Sequence, residues 1–272
     1  MKKILFFAFF VTALLCRPVL AQDASNPTNE LHALILKVRT DIQSGKKTEA
    51  QLSDDIKQFD AILAEHKGEK TDAMAAVLYM KAQLYSEIIG DTTRANALIN
   101  QLKSDYSGTP FVARLEEQDA REAESKKIQD SLSEGSQFPD FNEKDAMGKP
   151  LSIASYKGKV VMIDFWATWC GPCRGEIPNV VATYQKYHDK GFEIIGVSLD
   201  SDQQRMLDYT KENNMPWQQY FDGQGWDNRL AKKYGIESIP MTFLLDGNGK
   251  IIGKDLRGQE LTDMVANAVA GK

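Results

Sequence analysis

Two cysteines separated by two residues are the part of this chain whose types and spacing could do chemistry. Cys170 and Cys173 follow an apolar, β-branched run at 160–165 that is typical of a buried parallel strand, and an amphipathic run at 174–188 comes after them. The pair is therefore predicted to lie where a strand ends and a helix begins. The unpaired N–H groups and positive dipole end of that helix would favour the thiolate of Cys170, which is the candidate nucleophile for thiol–disulfide exchange.

The first 21 residues are typical of a secretory signal peptide. Two lysines precede an apolar run too short for an ordinary membrane span, and Ala21 is a small residue suited to cleavage. A retained membrane anchor is the alternative. Cleavage after Ala21 would also remove Cys16, so the mature chain would keep only the two cysteines of the pair.

In an oxidising compartment such a lone pair is more often catalytic than structural. A metal site would need further ligands, and His32, His66 and His188 show no ligand spacing. Each histidine is predicted to lie on a helix surface. Neither a metal nor another cofactor is expected.

Composition describes an acidic globular chain. Its 33 basic and 38 acidic residues give a net charge of −5, and loss of residues 1–21 would leave 30 basic residues against 38 acidic ones, or −8. Nucleic acid and anionic membrane surfaces are poor partners for such a charge. The length of 272 residues predicts two domains.

The run at 165–173, Phe-Trp-Ala-Thr-Trp-Cys-Gly-Pro-Cys, resembles the active-site segment of thioredoxin-fold proteins. Glu-Ile-Pro at 176–178 resembles the periplasmic thiol-disulfide reductases of the TlpA and ResA type. Pro178 matches the proline that bends their active-site helix, and Ile-Pro at 239–240 matches the segment of their cis-proline. The resemblance implies an α/β thioredoxin fold with a mixed central sheet for residues 136–272, and protein-disulfide reductase activity.

The resemblance also implies roles for single residues. Asp164 falls where thioredoxins keep a buried carboxylate that exchanges a proton with the second cysteine, and burial would raise its pKa. A solvent-facing strand position is the alternative. Cys170 is expected to be exposed and Cys173 buried. Pro240 would be cis, leaving the Ile239 backbone free to pair with an extended substrate segment.

Further candidate residues surround the pair. Gly171 and Pro172 lie between the cysteines as in reducing thioredoxins, and with Trp169 they are predicted to face the substrate. Trp166 is predicted to lie in the core. Glu176, one helical turn beyond the second cysteine, is a candidate for tuning its environment, and an ordinary surface carboxylate is the alternative.

Residues 22–135 predict an all-α domain of helical hairpins and a charged linker, with the domain boundary near Gly135. The charged segment at 116–137 is predicted to be either a solvated helix or a linker. The five helices of the domain are separated by turns at Gly45, Gly68, Gly90 and Ser107-Gly108. Thr48 and Gln51 have capping-box spacing and are predicted to begin the second helix. A faint likeness to a tetratricopeptide unit at 75–113 lacks the repeat signature. Docking, self-association or a plain spacer are the roles open to this domain.

The rest of the second half alternates strands and helices, as a mixed sheet covered on both faces requires. The predicted elements are strands at 192–199, 217–221, 241–245 and 250–253, helices at 202–214, 225–234 and 261–270, and an added edge hairpin at 138–159.

Three function classes are open. An exported reductase of protein disulfides, in the periplasm or cell envelope, would need a membrane electron donor. Apocytochrome thiols are one substrate by resemblance, and wrongly paired envelope proteins are another. A peroxiredoxin-like peroxidase would need a Thr-x-x-Cys site, whereas Trp169 precedes Cys170. A thioredoxin-fold binding module with little activity is the third class, and the intact cysteine pair speaks against it.

Overall fold

The computed structural model describes residues 26–271, so the predicted signal peptide at 1–21 lies outside the described residues. The chain divides into two compact units, and the boundary in the sequence falls between Asp119 and Ala120. Within 26–271, none of the helices combines the length and apolar character that crossing a membrane requires.

The first unit is helical, as predicted. Its helices are α1 (Pro27–Gln43), α2 (Ser53–Glu65), α3 (Asp72–Gln83), α4 (Thr92–Asp105) and the start of α5 (Pro110–Ser131), with a π-helical segment, Leu84–Ile89, continuing α3. Helix α3 is buried along most of its length and packs against α1, α2 and α4. It is therefore the central helix of this core.

One predicted helix start is wrong by a turn. Thr48 and Gln51 do bond to each other, since the Gln51 N–H donates to the Thr48 hydroxyl and the Thr48 N–H donates to Gln51 Oε1. Helix α2 nevertheless begins only at Ser53. The Thr48–Gln51 hydrogen bonds close a turn that precedes the helix. The capping-box pairing therefore forms, but it does not mark the first turn of α2.

The second unit contains a five-stranded mixed sheet, as predicted. Its strands β3 (Val160–Trp166), β4 (Phe192–Ser198), β5 (Gln219–Tyr220), β6 (Met241–Leu245) and β7 (Ile251–Lys254) lie in the order β5-β4-β3-β6-β7. Central strand β3 runs parallel to β4 and antiparallel to β6. Every residue of β3 and β4 is buried, which shows that both faces of the sheet are covered.

The helices of this unit are α6 (Gly171–Tyr187), α7 (Gln203–Glu212), α8 (Arg229–Lys233) and α9 (Gly258–Val269). The predicted helix at 225–234 is divided into a 3-10 turn, Gly225–Asp227, and α8. Asn228 separates them because its buried side chain accepts hydrogen bonds from the first N–H groups of α8. The hairpin of β1 (Glu143–Lys144) and β2 (Pro150–Leu151) forms a separate two-stranded sheet and does not extend the main one.

The charged segment that follows Ala120 is helical and packs on the core of the second unit, to which it belongs, so the prediction that it is solvated is wrong. In the part of α5 that follows Ala120, Gln129 donates to the Tyr234 carbonyl. Leu132 belongs to the core of the redox unit, and the Gly135 N–H donates to the Ile251 carbonyl. A boundary near Gly135 for an independently folding domain stays a prediction.

Candidate active site

The two cysteines lie at the predicted junction of strand and helix. Strand β3 ends at Trp166, and Cys170 is the N-cap of α6, with its sulfur accepting a hydrogen bond from the Cys173 N–H at 3.2 Å. Cys170 and Cys173 are joined as a disulfide, so the structure shows the oxidised form. Pro172 occupies the first turn of α6, where its missing N–H leaves no helical bond unmade.

The expected exposure of Cys170 is wrong for this oxidised form. Cys170 is 5% exposed and Cys173 is 2% exposed. The reason is the segment that crosses the first sulfur, since the Ile239 carbonyl oxygen lies 3.7 Å from Cys170 Sγ. The Ile239–Pro240 peptide bond is cis, which confirms the prediction from the resemblance. The segment therefore faces the sulfur with backbone atoms, which could pair with an extended substrate.

Asp164 is buried at the centre of the sheet. It lies opposite Gly196 on β4 and Thr242 on β6, and only 5% of its surface is exposed. Burial raises the pKa of its carboxyl to about 7, while the charge of Arg257 lowers this pKa and that of Glu176 raises it. The alternative of a solvent-facing carboxylate is wrong. Asp164 can take up and release a proton near neutral pH.

Arg257 is a residue of this site that sequence reasoning missed. It precedes α9, and its Nη2 donates to the Pro240 carbonyl at 2.6 Å. Its cation thus acts on the cis-proline segment by a hydrogen bond and on Asp164 by charge. No motif marks Arg257, because only the fold brings the start of the last helix to the central strand.

Glu176 connects two helices beside Asp164. Its Oε1 accepts a hydrogen bond from the Gly258 N–H at the start of α9 and another from Asn179, both at 2.7 Å. The side chain is half-buried, so Glu176 is not an ordinary surface carboxylate. A role in tuning Cys173 stays a prediction.

The other candidates divide between surface and core. Trp169, Gly171 and Pro172 are exposed beside the disulfide, and their contact with substrate stays a prediction. Trp166 is buried as predicted, and its Nε1–H donates to Gln219 Oε1 at 2.9 Å.

The prediction that His66 lies on a helix surface is wrong. His66 is 9% exposed, with its Nδ1 lying 2.9 Å from Glu69 Oε1 and its Nε2 lying 3.3 Å from Glu30 Oε2. The hydrogen bond with Glu69 is the main cause that raises the pKa of His66. Glu65 completes a group whose ligand atoms lie within 4.8 Å of one another. Carboxylates at both ring nitrogens fit an imidazolium ion, so an ion pair explains the cluster.

Comparison with known proteins gives the family. The Redoxin family model matches residues 133–270. The thiol-disulfide oxidoreductase ResA of Bacillus thuringiensis subsp. konkukian is 31% identical over 137 residues, which cover 50% of this chain and 77% of ResA. ResA of Bacillus subtilis is 31% identical over 123 residues, covering 45% and 67%. The solved thioredoxin domain of a thiol-disulfide oxidoreductase from Bacteroides vulgatus is 35% identical, covers 51% of this chain and 99% of that domain, and gives a TM-score of 0.47.

The Redoxin match lies within the unit that holds the cysteine pair. The chain therefore belongs to the Redoxin family and is a TlpA/ResA-like, thioredoxin-fold protein-disulfide oxidoreductase.

Proposed function

We propose that this oxidoreductase acts outside the cytoplasm as a reductase of protein disulfides, with Cys170 as nucleophile and Cys173 as resolving thiol. One observation carries the proposal. The Cys170–Cys173 disulfide lies at the N-terminus of α6, and a carboxyl whose pKa is raised to about 7 is buried in the strand before it.

The reaction begins from the dithiol form. The Cys170 thiolate attacks one sulfur of the substrate disulfide, a mixed disulfide forms, and the other substrate sulfur leaves as a thiolate that takes a proton. Cys173 then gives its proton to the Asp164 carboxylate and attacks Cys170 Sγ, which releases the second substrate thiolate. Two electrons pass to the substrate, and the protein ends as the disulfide that the structure shows.

Geometry favours the resolving step. The Cys173 N–H already donates to Cys170 Sγ, so the second sulfur is held within one helical turn of the first. Such an intramolecular attack gains from effective concentration. We assign Asp164 as the proton acceptor, because its carboxylate and carboxylic acid forms are both populated near pH 7.

The cellular part of the proposal comes from the sequence. The signal-like residues 1–21 support export to the periplasm or cell envelope. A reductase there must be reduced again after each cycle, so a membrane electron donor belongs to the proposal. Protein disulfides are the substrate class, those of apocytochromes among them. The helical unit would serve docking or self-association.

Asp164→Asn tests the assignment of the proton acceptor. In stopped-flow measurements of the reduced protein between pH 6 and 8, this variant should resolve the mixed disulfide at least about tenfold more slowly. Alkylation of Cys170 should change little. Asp189→Asn, at an exposed carboxylate, is the matched control. Equal resolution rates in parent and Asp164→Asn would remove Asp164 from the mechanism.

Two assays separate the rival classes. Catalysed reduction of insulin disulfides by dithiothreitol is expected of the oxidoreductase and absent from an inactive binding module. Consumption of hydrogen peroxide at a rate comparable to that of insulin reduction would instead favour a peroxiredoxin-like peroxidase. The Cys170→Ala variant should lose insulin reduction, since the attacking sulfur is gone.

A further inference from the structure

Trp169 and Trp226 form an exposed aromatic pair beside the redox disulfide. Their side chains are 47% and 48% exposed, and their ring centroids lie 5.9 Å apart with planes inclined by 56°. Trp169 is the residue before Cys170, so the pair borders the sulfur that attacks substrate. Sequence reasoning singled out Trp169 alone, although a tryptophan in the Gly-Gln-Gly-Trp turn was a signal for the second ring.

The turn that carries Trp169 is held by a buried carboxylate. Asp200 is 2% exposed and accepts hydrogen bonds from both the backbone N–H and the hydroxyl of Thr168, the latter at 2.6 Å. The Ser198 hydroxyl also donates to Asp200, at 2.8 Å. Trp169 is therefore fixed to the end of β4, where Ser198 and Asp200 lie.

The turn that carries Trp226 is held at the same place. Asn228 is fully buried, and its Nδ2 donates to the Ser198 carbonyl at 3.2 Å and to Asp222 at 3.1 Å. Both tryptophans are thus positioned by polar groups at one strand end before any partner arrives.

The exposed pair of Trp169 and Trp226 has the character of a binding surface. Single exposed apolar residues are ordinary, but two adjacent tryptophans on anchored turns resemble the rigid aromatic anchors of binding surfaces. Any substrate sulfur that reaches Cys170 brings its own flanking residues over these rings. The Ile239 carbonyl, 3.7 Å from Cys170 Sγ, offers an extended segment a backbone acceptor at the same point. The group that covers the pair is therefore part of the substrate polypeptide.

We propose that Trp169 and Trp226 bind an aromatic or long aliphatic side chain lying within two residues of the reacting cysteine in an extended substrate segment. This inference rests on the proposed function and names its substrate class. Two residues of extended chain span about 7 Å, so such a side chain stays close to the sulfur that Cys170 attacks. Exposed segments of unfolded proteins have this character, whereas small hydrophilic disulfides do not.

Two model peptides test the inference. Each carries a single cysteine as a mixed disulfide with glutathione, and they differ only in having Phe or Ser two residues from that cysteine. The reduced protein should react with the Phe peptide about 3- to 10-fold faster. Trp226→Ala should reduce this ratio to below about twofold, and Trp226→Phe should keep most of it. Met147→Ala removes a 69% exposed apolar side chain on the β1–β2 turn and should leave the ratio unchanged.

The outcomes separate the inference from the proposed function. A parent protein that reduces a small aromatic disulfide reagent but shows no peptide preference would overturn the inference alone. A preference that survives in Trp226→Ala would overturn it as well. A reduced parent that reacts with neither the peptides nor the small reagent would overturn the proposed function, and the inference with it.

Discussion

Replacing Asp164 by asparagine should stabilise the redox unit increasingly as pH rises. Burial raises the pKa of Asp164 from 3.8 to about 7. Such an acid holds its proton more tightly in the folded than in the unfolded state, so folded stability falls as pH rises from about 4 to about 7 and stays low above. At 1.36 kcal/mol for each pH unit, the buried carboxylate costs about 2 kcal/mol at pH 5 and about 4 kcal/mol at pH 8.5.

The measurable quantity is the difference between the cost of the buried carboxylate at pH 5 and its cost at pH 8.5. Asparagine also buries an amide, but that cost does not depend on pH. The stability gained by Asp164→Asn should therefore grow by about 2 to 3 kcal/mol between pH 5 and pH 8.5. Arg257, which lowers the pKa of Asp164, limits the effect by favouring the carboxylate.

Tryptophan fluorescence gives a selective assay. All four tryptophans of the chain lie in the redox unit, so urea unfolding followed by fluorescence reports this unit in the full-length oxidised protein. Asp189→Asn controls for the loss of an exposed carboxylate. A stability difference between parent and Asp164→Asn that stays constant within about 0.5 kcal/mol from pH 5 to 8.5 would refute the raised pKa of Asp164.

Three further predictions concern stability. The raised pKa of His66 adds stability below about pH 6.5 that is lost as pH rises through the folded value, so His66→Gln should flatten the pH dependence of helix melting followed by circular dichroism. Fragment 120–272 should melt at a higher temperature than 136–272, since it keeps the helix that packs on the redox unit. Gly196→Ala would place its Cβ 2.0 Å from a glutamine oxygen and should cost about 1 to 3 kcal/mol in urea unfolding, whereas Gly175→Ala meets no atom within 4 Å and should cost nothing.

The sequence was sufficient where function depends on neighbours along the chain. Cys170 and Cys173 follow a continuous apolar run and precede an amphipathic one, and these two patterns alone place them at a strand end and a helix start. The same run predicts the burial of Asp164, because a strand that is apolar on both faces is covered on both faces, and its polar residue is then buried as well. Local periodicity and glycine turns also placed the five helices of the first unit.

The sequence was insufficient where function depends on distant residues. Arg257 and Trp226 reach the site only through the sheet topology, which brings segments 50 to 90 residues from the cysteines to the same end of the strands. His66 was predicted to lie on a helix surface because the carboxylate of Glu30, which lies 3.3 Å from its ring, comes from another helix. The charged segment after Ala120 was predicted to be solvated, since composition does not show which core its few apolar residues contact.

The most direct test of the mechanism is to trap its intermediate. Cys173→Ala keeps the attacking sulfur but lacks the thiol that releases the partner, so the mixed disulfide should accumulate. Expressed in its own cell envelope, this variant should give covalent complexes on a non-reducing gel that vanish on reduction and can be identified by mass spectrometry. Cys170→Ala should give far fewer, because it lacks the sulfur that lies at the N-terminus of α6 and is favoured there as a thiolate. Equal trapping by both variants, or trapping by neither, would contradict the assignment of Cys170 as nucleophile and Cys173 as resolving thiol.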